Sequence, residues 1–281
     1  MHSWLHKRRV RKNRVRLQHA PQKILFWVGG IGALFIVCGG VGAWFSHIEL
    51  LRITTVSVRG TDVLSKEILE ENVREALVGN YIGLFARTNT LLYPKNEIKA
   101  SLYEAFPRIK DMDVAREGKN ALLISILEYE PYGLWCGVSP LGDEETCYFI
   151  DRNGYIFAQS PEYSGSIFFK YYGALPLKTS PVRQSFLAPE IFTSIETFVR
   201  GLSEFGFEAS AVFVDENDDY IFLLHDGSEV RLSYVTNVLS MLRNISALLD
   251  SKEYIRDKGE QNLLYIDMRF PQKILYKFDG E

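Results

Sequence analysis

The sequence predicts an α+β protein with a single N-terminal transmembrane helix, a strand–helix–helix–strand–strand module and a mixed, β-rich domain with two amphipathic helices. Three observations predict this class. Residues 24–45 contain no charged side chain. Residues 51–128 change from strand-like alternation to helical periodicity and back, and residues 129–281 combine many short alternating segments with two helical ones. These patterns predict a tail at 1–23, a transmembrane segment at 24–48 and domains at 51–128 and 129–281.

Charge is distributed unevenly around the apolar stretch. Residues 1–23 carry eight Lys and Arg side chains and no acidic one, and because the whole chain has a net charge of −3, the remainder carries −11. The two parts are therefore suited to different environments. At about 1.5 Å per residue, residues 24–45 can cross a hydrocarbon core of about 30 Å. Trp27 and Trp44 lie near the two ends, where indole rings favour the membrane interface.

Two alternatives to a membrane anchor are a buried core helix and a cleaved signal peptide. A core helix of this length normally has a polar face. A signal peptide has a shorter apolar region before its cleavage site, to which Val41-Gly42-Ala43 is a weak match. The sequence therefore favours an uncleaved anchor. The excess of basic residues before it predicts a cytoplasmic N-terminus, extracytoplasmic bulk and contact of the tail with anionic lipid.

The pattern of residues 51–128 predicts an antiparallel sheet with two helices on one face. A first strand alternates at Thr54, Val56 and Val58 and ends at Gly60, and Ser65 is a suitable N-cap for the first helix. The residues expected on the inward face of that helix are Ile68, Leu69, Val73, Ala76 and Leu77.

A loop with Gly79, Asn80 and Gly83 is predicted next, followed by a second helix at 95–106 that stops at Pro107. Its expected inward residues are Ile98, Leu102 and Ala105. The module closes with two predicted strands, 109–117 and 121–128, joined by a turn at 118–120.

Residues 129–281 are predicted to be dominated by strands. The predicted strands are 148–151, 155–158, 167–171, 212–214, 220–224, 229–232, 263–269 and 272–278. The clearest helix, 190–205, has an apolar stripe of Ile191, Phe192, Ile195, Phe198, Val199, Leu202 and Phe205. The second amphipathic helix is predicted from Val235, Val238, Leu239, Leu242, Ile245, Leu248 and Leu249.

Cys136 and Cys147 flank a polar, turn-like stretch, and each adjoins aromatic, strand-like residues. A hairpin would place them opposite each other, where they could form a disulfide in an oxidising compartment. The alternative is a pair of reduced, half-buried thiols.

Catalytic chemistry has few candidates in this sequence. His225 is the one histidine beyond residue 47, and it precedes Asp226-Gly227, which is typical of a hairpin turn. Neither Cys136 nor Cys147 has a nearby histidine that would activate a thiolate. The sequence therefore predicts a protein that is not an enzyme and that uses no cofactor, metal, nucleic acid or small-molecule substrate.

Several motifs follow one another in an order that resembles a known family. They are VSVRG at 56–60, FPRI at 106–109 with VAR at 114–116, LLISILEYEP at 122–131, FIDRNGYIF at 149–157 and LYIDMRF at 264–270. Together with the basic tail and the apolar stretch, they resemble the FtsQ/DivIB family of bacterial cell-division proteins, whose first extracytoplasmic module has the POTRA fold. The chain departs from the family by lacking a proline at 117–120, by Tyr129 where arginine is frequent, and by a longer loop at 79–93.

The resemblance implies a non-catalytic divisome scaffold in the bacterial inner membrane, located at the division septum. It implies that the protein bridges early and late cell-division proteins during septum formation. The POTRA module would recruit the protein, and the C-terminal strands would bind FtsB-like (DivIC-like) and FtsL-like membrane proteins.

The expected mode of binding is addition of a partner strand to an open sheet edge. The candidate edge is 272–278, where apolar and other residues alternate. The residues expected to bind the partner are Phe270, Gln272, Ile274, Tyr276 and Phe278. Two other functions remain open: a membrane-anchored POTRA protein in envelope transport or assembly, and an anchored cell-wall enzyme.

Overall fold

A computed structural model describes residues 22–141, 146–162, 167–176, 179–233, 237–270 and 272–280. Residues 1–21 of the predicted tail lie outside the described residues. Val235 of the second predicted amphipathic helix also lies outside them. The chain folds as two compact units. The first unit comprises Met1–Val56, Leu77–Pro94 and Arg116–Leu122, and the second comprises Ser57–Ala76, Lys95–Ala115 and Leu123–Glu281.

Helix α1, Gln22–Ser46, contains the predicted apolar stretch. Its segment Phe26–Ser46 is long and apolar enough to cross a membrane, and its residues are largely exposed up to Phe45, whereas Ser46 at its end is buried. A helix that is apolar on all sides and mostly uncovered by the rest of the protein matches either a single-pass anchor or a signal sequence. A short 3-10 helix, Glu49–Leu51, follows it.

The predicted loop after the first module helix contains a small hairpin that the sequence pattern does not reveal. Its strands are β2, Asn80–Tyr81, and β3, Phe85–Ala86, which pair in an antiparallel register. Two-residue strands are too short to show alternation, so the pattern of apolar residues could not reveal them. The turn between them has positive φ at Ile82 (51°) and Gly83 (72°), as a type I′ hairpin turn requires.

The predicted order strand–helix–helix–strand–strand is confirmed. The elements are β1 (Thr55–Arg59), α2 (Lys66–Ala76), α3 (Lys95–Ala105), β4 (Ile109–Glu117) and β5 (Ala121–Glu128). The strands form a three-stranded sheet in the order β1–β5–β4. The shared face of β5 predicted from alternation is buried at Leu122, Ile124 and Ile126.

Three side chains that were expected on inward helix faces are exposed: Ile68 in α2, Ala105 in α3 and Leu239 in the second amphipathic helix. Helix α2 buries Leu69 and Val73, which are four residues apart. Because each residue turns the helix by about 100°, the side chain of Ile68 points about 100° away from that of Leu69 and lies outside the buried face. The apolar stripe predicted from sequence was therefore wider than the face that is covered.

The remainder of the chain forms a nine-stranded mixed sheet in the order β14–β13–β12–β11–β10–β9–β6–β7–β8. Its strands are β6 (Gly133–Trp135), β7 (Tyr148–Ile150), β8 (Ile156–Gln159), β9 (Lys170–Tyr172), β10 (Ala209–Val214), β11 (Tyr220–Leu224), β12 (Glu229–Leu232), β13 (Leu263–Phe270) and β14 (Lys273–Phe278). A large mixed sheet thus follows the first module, as predicted, although β6 was not foreseen.

Among its described residues, three helices accompany this sheet instead of the predicted two. They are α4 (Pro189–Glu204), α5 (Val238–Leu249) and α6 (Lys252–Lys258). Helix α6 has seven residues, and two turns are too few to establish a helical period in the sequence. The stripe of α4 is buried, and Phe198 contacts Phe222 of β11 with ring centroids 4.8 Å apart. This aromatic and aliphatic layer forms the main core.

Candidate partner-binding edge

Strand β14 lies at one end of the nine-stranded sheet. It pairs with β13 in an antiparallel register that includes Ile266 opposite Tyr276 and Asp267 opposite Leu275. Within the described part of the chain, no strand pairs with its other side. An edge strand of this kind presents a row of backbone N–H and C=O groups that can pair with another chain.

The opposite end of the sheet, β8, is covered by the chain itself. The Ile156 N–H donates to the Gln184 carbonyl (2.8 Å), and the Arg183 N–H donates to the Ile156 carbonyl (2.8 Å). Tyr155 and Ser185 form an isolated antiparallel bridge beside them. The two edges therefore differ, because β8 is partly satisfied by residues 183–185 and β14 has no such cover among the described segments.

Three of the five predicted partner-binding residues face the core instead of the exterior. Ile274 and Tyr276 pack against the main core, and Phe278 is fully buried. Tyr254 of α6 contacts the rings of Tyr276 and Phe278, with centroids 5.2 and 5.4 Å apart. The Tyr276 hydroxyl donates to Asp257 Oδ2 (2.8 Å), and this bond raises the tyrosine pKa above its ordinary value. These side chains hold β14 in the sheet.

The other two predicted residues, Phe270 and Gln272, are exposed at the turn that leads into β14. The remaining β14 positions alternate to the opposite face, where Leu275 is 44 % exposed. Leu264 of β13 is also exposed. Leu275 was not predicted as a contact residue because both faces of 272–278 carry apolar residues, and alternation alone does not show which face packs against the core.

A fixed group of charges lies beside Leu275. Its register partner Asp267 accepts a hydrogen bond from Arg269 Nη2 at 2.7 Å, and Arg269 Nη1 donates to Asp219 Oδ2 at 3.0 Å. Burial raises the pKa of Asp267, but the hydrogen bonds from Arg269 outweigh it, so the net pKa is lowered. The two carboxylates raise the pKa of Arg269. This part of the edge is therefore charged and rigid at neutral pH.

A hollow of about 450 Å³ opens at the start of β14. Residues that line it include Asn237, Ser240 and Asn244 at α5, together with Phe270, Gln272 and Lys273. The wall formed by α5 is mostly polar, and the exposed ring of Phe270 forms an apolar rim. The hollow is open to solvent and large enough to receive a side chain from a strand that pairs with β14.

Cys136 and Cys147 form a disulfide that joins the ends of β6 and β7. The two strands pair in register from Gly133–Ile150 to Trp135–Tyr148, so continuing that register brings the cysteines opposite each other. The link closes the loop between these strands and lies six strands away from β14 in the sheet order. Its role is structural, and it takes no part in the β14 edge.

No protein-family model matches the chain, and no curated protein matches it in sequence. Over the residues that the structure describes, the chain has one apolar helix of membrane-spanning length, a β–α–α–β–β segment and a large mixed sheet with one uncovered edge.

Proposed function

We propose that this protein is a non-catalytic scaffold of the bacterial division machinery that binds FtsB-like (DivIC-like) and FtsL-like membrane proteins by strand addition at β14. Helix α1 acts as a single-pass anchor in the inner membrane, and the β–α–α–β–β segment acts as a POTRA module. The observation that carries the proposal is the difference between the two edges of the nine-stranded sheet, since residues 183–185 cover β8 and no segment in the described part of the chain covers β14.

Strand addition uses backbone hydrogen bonds for affinity and side-chain contacts for specificity. The buried ring of Phe278 and the Tyr276–Asp257 hydrogen bond support β14 from behind, so the edge is rigid before a partner arrives. Leu275 and Phe270 supply exposed apolar surface beside it. Because a rigid edge loses little conformational freedom on pairing, more of the interaction energy is available for binding.

Deletion of residues 272–281 would be a poor test of this proposal. The deletion would remove the buried Phe278 and the half-buried Ile274 and Tyr276, and so expose the core. Leu275 is the better position, since its side chain is partly exposed and its substitution leaves those core contacts in place.

The experiment images two fluorescent fusions in dividing cells, one on the full chain and one on its FtsB-like or DivIC-like partner. We expect both at midcell with the wild-type chain. With Leu275→Asp, we expect the chain to stay at midcell and the partner signal there to fall about tenfold, because a charge at the contact removes apolar burial.

The matched control is Leu239→Asp in α5, where the leucine is 70 % exposed and distant in sequence from the edge. This variant should recruit the partner normally. A uniform envelope signal for the wild-type chain would contradict the division role. Undiminished partner recruitment by Leu275→Asp, or an equal loss with Leu239→Asp, would contradict binding at β14.

A further inference from the structure

The segment Leu77–Pro94 has an unusual composition for the part of the chain that follows α1. Charged residues make up 24 % of the whole chain, but this segment contains only one, Arg87. It also contains three aromatic residues: Tyr81, Phe85 and Tyr93. Surface loops of proteins in water rarely combine so few charges with so many apolar side chains.

The apolar side chains of this segment are exposed at the tip of the β2–β3 hairpin. Ile82 is 91 % exposed and Leu84 is 55 % exposed. Ile82 also adopts a left-handed backbone conformation (φ 51°), which β-branched residues strongly disfavour. The turn requires this conformation, but Asn, Asp or Gly normally occupies such a position, so an exposed isoleucine here is unusual for a hairpin in water.

The hairpin is attached firmly to the end of α1, within the same compact unit. Ser46 Oγ accepts a hydrogen bond from the Ala86 N–H at 3.2 Å, and the Asn89 side-chain amide donates to the Ser46 carbonyl at 3.0 Å. His47 Nε2 donates to the Leu84 carbonyl at 3.1 Å. Ser46 and Asn89 are buried, so these bonds hold the hairpin against the helix.

The contact with α1 also sets the height of the hairpin along the helix. A Cβ atom built on Gly42 would lie 3.5 Å from the Phe85 ring. Gly42 precedes Ser46 by four residues, which corresponds to about 6 Å along the helix axis. Phe85 therefore lies at a level below Trp44, inside the apolar stretch. Any bilayer that surrounds α1 at Trp44 also reaches Phe85.

We propose that the β2–β3 hairpin is a second membrane contact, in which Ile82, Leu84 and Phe85 enter the interfacial layer of the bilayer that α1 spans. The inference rests on the proposed anchor. Arg87 stacks over the Tyr81 ring at 5.3 Å, so the one charge of this segment lies at the base of the hairpin and not at its apolar tip. This second contact then restrains rotation of the first unit relative to the bilayer. An anchor that consisted of α1 alone would permit that rotation.

The experiment measures depth in the membrane with a fluorophore and lipid-borne quenchers. The full chain is labelled in detergent at one cysteine and reconstituted in nanodiscs whose lipids carry a nitroxide near the headgroup or deep in the acyl chain. Native Cys38, the free cysteine of α1, reports the anchor. Ile82→Cys and Leu84→Cys, each made with Cys38→Ser, report the hairpin, and Leu239→Cys in the same background is the exposed control.

We expect the deep nitroxide to quench Cys38 and the shallow nitroxide to quench labels at 82 and 84, with a blue shift of their emission. The control label should show neither effect. Quenching at 38 without quenching at 82 and 84 would overturn the hairpin contact and leave the anchor standing. A blue shift at 82 and 84 without lipid quenching would indicate cover by protein and overturn it too.

Absence of quenching at all positions would overturn both the hairpin contact and the anchor. Equal quenching at 82, 84 and 239 would indicate non-specific adsorption and overturn the specific contact. Using both 82 and 84 protects the test against disturbance of the turn by either single substitution.

Discussion

At the scale of single residues, Glu128 fixes the loop that follows β1. Its Oε1 accepts hydrogen bonds from the backbone N–H groups of Asp62 (3.0 Å), Val63 (3.2 Å) and Leu64 (3.0 Å). Arg108 Nε donates to its Oε2 at 2.9 Å. Burial raises the pKa of Glu128, but these hydrogen bonds together outweigh burial, and the net pKa lies below its ordinary value.

Substitution of this carboxylate should destabilise the fold in a pH-dependent way. We expect Glu128→Gln to cost about 2–3 kcal/mol at neutral pH, because Arg108 loses its buried partner. A lowered folded-state pKa stabilises the fold above the unfolded pKa of about 4.3, and this contribution disappears as pH falls through the folded-state value. The difference between variant and wild type in thermal unfolding should therefore shrink below about pH 4.

The control for this prediction is Glu71→Gln, at a side chain that is 66 % exposed. That variant should unfold like the wild type across the same pH range. A Glu128→Gln penalty that stays constant down to pH values well below 4 would contradict the assigned role of the carboxylate.

Ile82 has the opposite effect on stability, because its backbone conformation destabilises the fold in water. A left-handed conformation costs an L-residue roughly 1–2 kcal/mol. Burial of an isoleucine side chain in an apolar layer returns roughly 1.5–3 kcal/mol. The membrane contact proposed for the hairpin thus accounts for a residue that the folded chain in water does not.

At the scale of elements, the junction of β1 with the rest of its sheet depends on Gly60. This residue has φ +82°, and a Cβ atom there would clash with the Ile126 carbonyl oxygen of β5. Gly118, in the turn between β4 and β5, has φ +70° and open space around it. Both glycines adopt a positive φ. They differ because a Cβ atom would clash with a neighbouring residue only at Gly60.

Comparison of Gly60→Ala with Gly118→Ala should separate these two effects. We expect Gly118→Ala to cost about 1 kcal/mol from backbone conformation alone. Gly60→Ala should cost about 2 kcal/mol more, because β5 must shift to admit the methyl group. Thermal unfolding of both full-length variants checks this, and equal losses would show that the close approach of β1 and β5 does not matter for stability.

The elements that the sequence predicted well are those with long, one-sided patterns. The bounds of β4 and β5 agree with the prediction, since β5 alternates at Leu122, Ile124 and Ile126 and the turn at 118–120 separates it from β4. The β2–β3 hairpin and α6 were missed because each is shorter than the period needed to recognise it. For the same reason, the contacts of Tyr276 and Phe278 with α6 could not be predicted from alternation alone.

At the scale of the whole molecule, strand order decides where another chain can pair. The nine-stranded sheet contains the parallel pairs β9–β10, β6–β9 and β12–β13, which join strands distant in sequence. Alternation within each strand says nothing about such neighbours. The terminal strand was a reasonable candidate for an edge from sequence, but the covering of β8 by residues 183–185 was visible only in three dimensions.

Amide hydrogen exchange can detect the pairing of a partner strand with β14 residue by residue. In the free chain, the outward-facing amides of Lys273–Phe278 should exchange quickly because they lack acceptors. Addition of the purified FtsB-like or DivIC-like partner should slow them at least tenfold, as new backbone hydrogen bonds form, while β8 amides stay unchanged. Unchanged exchange in β14 under saturating partner, or protection confined to another strand, would contradict the account.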